Sequence, residues 1–400
     1  MNKVGKVNGK NILFLQGPMG TFFKKLDTVF RNKAAKTYKI GFNIGDWFFS
    51  HKDNYIPFKG KPEAWPKFIE HFLDEKKIDK IFLFGDCRYY QGIALEIAYK
   101  RGIEVFVFEE GYLRPHYVTM EKFGVNDYSR ISRDPHFYER MEYAPQPSVQ
   151  HAYASKTKMV LSASLYYLLS NLFVFRYPYY RHHRDFSAMK ELFYGLRGAI
   201  RKVVYPLFEQ QYLKEIQNGL SKKYFFVPLQ TYNDFQILQH SEYGSIEKFI
   251  IEVLESFSQH ADKEIWLIFK HHPVDRGRKN YKAFIMEQAE SLDIEKRILV
   301  FHDVHLPTCL ENAKGTVTIN STVGLTSIAY NIPTITLGKA IYNIKGLTDQ
   351  KSLEAFWKDP ENPNAELYQK FSSYLIQTTQ LNGSFYGRFP VEFETEDMYS

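Results

Sequence analysis

Residues 81–111 read IFLFGDCRYYQGIALEIAYKRGIEVFVFEEG, and this stretch decides the fold. Ile81–Phe84 is an apolar run of strand length that stops at Gly85. Ile93–Arg101 carries its apolar residues at helical spacing and stops at Gly102. Val105–Phe108 is a second apolar run, ending in Glu109-Glu110-Gly111. A strand, a helix and a strand in this order make a crossover between parallel strands, and strands this apolar are covered on both faces. In such sheets ligands bind beyond the carboxyl ends of the strands. The polar residues to follow are therefore Asp86, Arg88, Glu109 and Glu110.

The same grammar extends in both directions. Asn11–Gln16 reads as a strand ending in Gly17-Pro18-Met19-Gly20, a Phe/Leu-bearing helix follows, and Lys39–Phe42 is a further strand. After about residue 222 the alternation restarts. Strands are expected at Tyr224–Pro228, Ile265–Phe269, Ile298–Phe301, Thr316–Ile319 and Thr334–Leu337, with helices at Ile246–Ser258, Tyr281–Leu292 and Val323–Asn331. The expected class is α/β of the GT-B type, two Rossmann-like domains facing across a cleft that holds the active site. Boundaries are placed at 1–150 for an N-terminal acceptor and catalytic domain, 151–221 for a connecting segment, 222–365 for a C-terminal nucleotide-sugar domain, and 366–400 for a tail that packs back on the first domain. A helix is expected at Leu367–Thr378 in that tail.

At 400 residues the chain exceeds what one core usually serves, which agrees with two domains. A formal charge of +7 favours anionic partners: nucleotides, acidic sugars, anionic lipid or nucleic acid. Twenty-nine Tyr and 34 Phe suggest large cores and a half-wet amphipathic surface. Two cysteines, Cys87 and Cys309, are too few for a disulfide framework or a zinc site. Met1–Lys10 is polar and basic, and the apolar run Ile12–Leu15 is too short for a signal peptide, so a cytoplasmic protein is expected.

Met159–Phe175 (MVLSASLYYLLSNLFVF) differs in kind, being 17 residues without a charge. Lys156 and Lys158 flank it on one side; Arg176, Arg181, His182, His183 and Arg184 flank it on the other. It is short for a membrane span and carries three Ser and one Asn. Two readings stand: an amphipathic segment resting on an anionic leaflet, or a buried connecting helix. The Tyr/Arg/His run after it is not accompanied by any nucleic-acid-binding module, and no nucleic acid partner is expected.

Two strand ends in the second half suit phosphate. Lys270-His271-His272-Pro273 offers a cation and two imidazoles, with proline fixing the turn. Asn320-Ser321-Thr322-Val323-Gly324 opens a helix, where small hydroxyl residues and bare backbone N–H groups bind anions. Adjacent histidines do not converge on one ion without further ligands, so no metal is expected. Gln230, Asp234 and Gln236 follow strand Tyr224–Pro228 as candidates for sugar or base recognition, and Gln16-Gly17 holds a similar place in the first half. Glu109 and Glu110 would repel if both were ionised, leaving one better able to hold a proton. A carboxylate there serves as general base or as nucleophile, and Arg114 lies close by in sequence.

Taken together, LQGPMGTFF (15–23), FGDCR (84–88), FEEGYLRP (108–115), RDPHFY (133–138), YNDFQI (232–237), IFKHHPVDRG (268–277), TINSTVG (318–324) and IYNIKGLT (341–348) resemble the KpsS-type capsule polysaccharide proteins. The order is unbroken from about residue 11 to the tail. The acidic pair with Gly and the His-Pro pair also resemble bacterial sialyltransferases, which likewise use CMP-sugars. The resemblance implies a retaining β-Kdo transferase of GT-B fold, with CMP-Kdo as donor and neither cofactor nor metal. The implied acceptor is a phosphatidylglycerol-type lipid at the inner leaflet, on which the linker of the capsule chain starts. The implied place is peripheral on the inner membrane, with other capsule synthesis and export proteins as further partners. Glu110 matches the catalytic carboxylate and His272 the His-Pro phosphate ligand, while Ser321 and Thr322 match the hydroxyl pair near the nucleotide. Related Kdo transferases carry Asp where this chain has Glu110, which leaves nucleophile and base both open. Arg114 and Arg88 are both candidates for the sugar carboxylate. The competing readings are a non-catalytic capsule assembly or export component and another CMP-sugar transferase.

Overall fold

The computed structural model describes residues 3–142, 151–180, 188–232 and 243–393. The chain forms two compact units, each built on its own sheet. The first comprises Met1–Arg130, Ala144–Ala188 and Ser372–Ser400. The second comprises Ile131–Tyr143 and Met189–Phe371.

The first sheet contains β1 (Asn11–Phe14), β2 (Lys36–Gly41), β3 (Tyr55–Pro57), β4 (Lys80–Phe84), β5 (Glu104–Glu110) and β6 (Tyr117–Lys122), joined by a strand from the tail, Gln380–Asn382. From one edge the order is the tail strand, β6, β5, β4, β1, β2, β3. β5, β4, β1, β2 and β3 run parallel, whereas β6 is antiparallel to both of its neighbours. Side chains alternate between two cores. Leu13, Ile81, Leu83, Val105 and Val107 pack on one face; Ile12, Phe14, Phe82, Phe106 and Phe108 pack on the other. Both faces are therefore buried, as the unbroken apolar runs require.

The second sheet is wholly parallel. It contains β7 (Tyr224–Pro228), β8 (Trp266–Lys270), β9 (Ile298–Phe301), β10 (Gly315–Thr318) and β11 (Thr334–Thr336), in the order β11, β10, β7, β8, β9. The tail strand completes the numbering as β12. In both sheets the first strand of the unit lies centrally and the order reverses beside it, at β1/β4 and at β7/β10. This is the Rossmann-like α/β arrangement, and the crevice at each reversal point is where a ligand fits.

The division of the chain differs from the one expected. Residues 151–221 are not a separate segment: the chain changes unit near Ala188, inside what was read as one connection. The tail helix Ala365–Thr378 also spans a boundary, because the first unit resumes at Ser372. The physical cause of the first difference is visible in helix Lys156–Leu172, which contains most of the uncharged run. Its Tyr166 is buried, and the phenol donates to Asp46 Oδ1 (3.0 Å) while accepting from Gln16 Nε2 (2.8 Å) and Asn43 Nδ2 (2.6 Å). Ser170 Oγ donates to Asn43 Oδ1 at 3.0 Å. A Cβ on Gly45 would lie 2.5 Å from the Tyr166 ring, so glycine is what lets the two backbones approach. One face of this helix is thus bound into the first unit. Val160, Leu161, Leu168 and Leu172 on its other sides are exposed. No helix among the described residues is long and apolar enough to cross a membrane.

Tyr166→Phe removes a hydroxyl on which two buried donors and one carboxylate converge. Chemical denaturation should show a loss of about 1–3 kcal/mol, the cost of leaving buried polar groups unpaired.

Candidate functional site

In the first unit the site is assembled at the ends of β1, β4 and β5. Strand alternation settles the acidic pair. Glu109 follows the Val105/Val107 face and Glu110 the Phe106/Phe108 face, so the two carboxylates point to opposite sides of the sheet. Glu109 is half-buried, and its Oε1 accepts from the Glu110 backbone N–H at 3.0 Å. A Cβ on Gly85 would lie 3.5 Å from Arg88 Nε and 3.9 Å from Glu109 Oε2, so both groups lie near this glycine, whose φ is +71°. Burial pushes the Glu109 carboxyl up to about 7, and the charges of Glu110 and Asp86 push the same way, against Arg88 and the backbone hydrogen bond. Glu110 stands exposed. Gly111 is obligatory for the turn, since a Cβ there would lie 2.1 Å from the Tyr117 carbonyl oxygen. Arg114 folds back over this turn, its Nε donating to Gly111 O at 3.2 Å.

Two expected ligand residues hold the frame instead. Asp86 is buried, accepting from Val125 N at 2.8 Å and from Cys87 Sγ at 3.1 Å. That anchors the loop after β6 beneath the Glu109 turn. Gln16 is buried as well, and its amide nitrogen donates to Asp46, Tyr166 and Tyr180. A Cβ on Gly17 would collide with the Phe23 ring at 2.6 Å. Where sugar contacts were expected, both oxygens of Asp86 and the amide nitrogen of Gln16 bind internal partners and support the crevice.

In the second unit the reversal point joins two expected residues directly. Gln230, just past β7, donates from Nε2 to Asn320 Oδ1 at 3.0 Å, and Asn320 N donates back to Gln230 Oε1 at 3.3 Å. Ser321 caps helix Thr322–Ala329, its Oγ accepting from Val323 N at 3.2 Å. The Ser321 carbonyl accepts from the Tyr342 hydroxyl, and a Cβ on Gly324 would lie 2.2 Å from that hydroxyl oxygen. Asn320, Ser321 and Thr322 therefore stand together at a helix N-terminus with Gln230 beside them. Asp234 and Gln236 lie outside the described residues.

The Lys270–Pro273 run is arranged differently from the expected row of donors. Lys270 is the last residue of β8 and is buried; its Nζ donates to His302 O at 3.4 Å, and burial lowers its pKa. His271 is 2% exposed and stacks on His302 (4.3 Å between ring centroids) and Tyr281 (5.8 Å). Neither of its ring nitrogens has a hydrogen-bond partner among the described residues. Burial first, then the neighbouring His302 and Lys270, pull its pKa down to about 3, so the ring is neutral. His271, expected as a phosphate ligand, thus stands as a neutral ring within an aromatic stack. His272 is only partly buried; its Nδ1 accepts from Val274 N at 3.2 Å and caps the turn that Pro273 opens.

Sequence reasoning missed what holds this loop. Glu209, on helix Ala188–Gln217, accepts from His302 N (2.9 Å), His302 Nδ1 (3.0 Å) and Asp303 N (2.8 Å). Asp303 in turn takes a two-pronged ion pair from Arg276. One and two turns earlier on the helix, Tyr205 stacks on His302 at 4.0 Å and Arg201 donates to Arg276 O at 2.9 Å; Arg197 donates to Gly277 O at 2.6 Å. The spacing 197, 201, 205, 209 is the signal that was available, four residues apart along one helix face. Asp275 ties in the segment after β7, accepting from Tyr232 N at 2.9 Å. Among the described residues no group of three His, Cys, Asp or Glu side chains is placed to hold a metal ion.

The capsule polysaccharide biosynthesis protein family model matches residues 79–386, from the start of β4 to beyond β12. The chain belongs to this family. It is 38% identical over 380 residues to the capsule polysaccharide export protein KpsS of Escherichia coli, covering 95% of this chain and 98% of that one. It is 36% identical over 395 residues to the capsule polysaccharide modification protein LipB of Neisseria meningitidis serogroup A, covering 95% and 93%. Among solved structures, the β-Kdo 2,7 transferase of Thermosulfurimonas dismutans KpsC aligns over 91% of this chain and 89% of that one, with 15% identity and a TM-score of 0.42. In this capsule polysaccharide biosynthesis protein the family match takes in the ends of β4 and β5 and the strand ends of the second sheet, while Gln16 and Gly17 lie before it.

The raised pKa of Glu109 has a consequence for stability. Below about pH 4.5, its ordinary value, the proton is bound in folded and unfolded chains alike. Between there and about 7 only the folded chain keeps it, so this group's contribution to stability falls as pH rises through that window. Glu109→Gln should therefore gain thermal stability relative to wild type as pH goes from 4.5 to 8. A melting-temperature difference that stays constant over that range would remove Glu109 from this role.

Proposed function

We propose that the protein transfers β-Kdo, with retention, from CMP-Kdo to a phosphatidylglycerol-type lipid and so begins the linker that carries a capsule chain. The observation that carries this reading is the divided acidic pair: Glu110 exposed at the end of β5, Glu109 behind it with a pKa near 7 and Arg88 alongside. Retention needs two displacements. In the first, a Glu110 carboxylate oxygen bonds to the anomeric carbon as the bond to the phosphate oxygen of CMP breaks. CMP leaves with that electron pair and needs no proton. In the second, the acceptor hydroxyl bonds to the same carbon, the Glu110 bond breaks, and the hydroxyl proton passes to Glu109. A base whose pKa lies near the working pH suits that last transfer.

Groups suited to the phosphate of CMP stand at the strand ends of the second sheet. The Gln230–Asn320 pair, Ser321, Thr322 and the N-terminus of their helix form an anion-friendly end, with His272 on the neighbouring strand's turn. Of the two arginines, Arg88 is assigned to the sugar carboxylate because it already faces Glu109, while Arg114 is bonded to its own turn. Lys270 and Glu209 serve by positioning the loop. No cofactor or metal enters the reading. The proposed place of work is the cytoplasmic face of the inner membrane, alongside other capsule synthesis and export proteins.

The test is incubation of the purified chain with CMP-Kdo and a short-chain phosphatidylglycerol, followed by mass spectrometry of the lipid. Glu110→Ala should fold normally, since the side chain is exposed, and lose turnover by about 10³-fold or more. A variant retaining a tenth of wild-type turnover would exclude Glu110 as nucleophile. The absence of transfer by wild type itself would favour a non-catalytic assembly component or a different CMP-sugar.

His272→Ala should weaken CMP binding by about ten- to a hundredfold, the loss of one charge-assisted hydrogen bond of about 1.5–3 kcal/mol. Calorimetry with CMP giving equal affinity for the two proteins would remove His272 from the phosphate site.

A further inference from the structure

Helix Ala188–Gln217 packs Tyr212, Leu213 and Ile216 on the core near its end, but from Phe193 to Glu209 it is amphipathic the wrong way round. A surface helix ordinarily turns its apolar stripe to the core and its charged face to water. Here Arg197, Arg201, Tyr205 and Glu209 face inward and bind the loops after β8 and β9. Phe193, Leu196, Ile200, Val203, Leu207 and Phe208 face outward, each between 57% and 71% exposed. The spacing of three or four residues lines the first five along one side, and Phe208 stands at its edge. An exposed apolar stripe of this length marks a contact surface, because leaving it in water forfeits the burial of six large side chains.

The charges choose among occupants. From Leu192 to Phe208 the sequence holds Arg197, Arg201 and Lys202 and not one Asp or Glu. Lys202 is exposed, and the two arginines bond backbone carbonyls rather than carboxylates, so their charge is not cancelled by an ion pair at those contacts. A basic helix with an open apolar face is the form that lies in the interface of an anionic bilayer. The helix is not apolar enough to cross one.

We propose that the outward face of this helix rests on an anionic lipid leaflet, and that its inward face thereby brings the Lys270–Pro273 loop to the membrane surface. The proposal rests on the lipid-acceptor reading for its purpose, but the surface is testable without any sugar chemistry. The full chain is sedimented with vesicles of phosphatidylcholine alone and of phosphatidylcholine with an equal part of phosphatidylglycerol. Wild type should partition to the anionic vesicles, less so as salt rises and little to the neutral ones. The triple variant Leu196→Ser, Ile200→Ser, Leu207→Ser, with an unchanged circular dichroism spectrum, should lose partitioning by at least about tenfold. Lys202→Glu should weaken binding to the anionic vesicles. Undiminished binding by the triple variant overturns the proposal, as does wild type that ignores vesicles. So does a wild-type dimer that the triple variant abolishes in the absence of vesicle binding, which would assign the stripe to a second copy. Vesicle binding as expected together with no sugar transfer to any lipid would leave this surface standing and sink the catalytic reading.

Discussion

Both sheets are covered on both faces, and this constraint sends the chemistry to the strand ends. A side chain on the body of β4, β5, β7 or β10 has little choice but to fill a core, so polar groups accumulate where the strands stop. The order of strands then decides which ends matter, by leaving a crevice where the winding reverses. Gln16 and Asp86 line one reversal, Gln230 and Asn320 the other. At the first, the polar atoms are turned inward and stiffen the loops. At the second, two amides bind each other across the gap and present a helix N-terminus beside them.

The rule of alternation along a strand separates two chemically identical residues. Glu109 and Glu110 are neighbours in sequence, yet one is drawn into a half-buried place near Arg88, with its proton held to near neutrality, and the other is left open to solvent. Two carboxylates of different character are made from one dipeptide by geometry, without any difference in side-chain type. Gly111 completes the arrangement by letting β5 turn where any Cβ would meet the β6 backbone.

The loop after β8 shows how a site is supported from far away in sequence. Glu209 gathers three donors from His302 and Asp303, Asp303 holds Arg276, and the stacked rings of Tyr205, His302, His271 and Tyr281 fill the space between. A carboxylate that accepts this many hydrogen bonds is worth far more as a fixed anchor than as a solvated charge. Between Phe193 and Glu209 the same helix thereby acquires an inward polar face and turns its large apolar residues out, whereas Tyr212, Leu213 and Ile216 further along pack on the core.

Much of this was legible from residues alone. Apolar runs bounded by Gly and Pro located β1, β4, β5 and all five strands of the second sheet within a residue or two, because buried parallel strands must be apolar throughout. The polar residues at their ends followed from the same reading. What the chain order could not reveal was which of those residues face the crevice and which are consumed by the frame. Gln16, Asp86 and His271 have the composition of ligands and the partners of supports. The uncharged run at 159–175 hid a phenol committed to Asp46, some 120 residues away; β6, with Thr119, Glu121 and Lys122, was too polar to announce itself, and β12 was too short. Local pattern determines whether a segment is strand or helix and which of its faces is apolar. Hydrogen-bond partners, buried charge and the direction in which a helix turns its apolar face depend on segments distant in sequence, and only the folded chain brings those together.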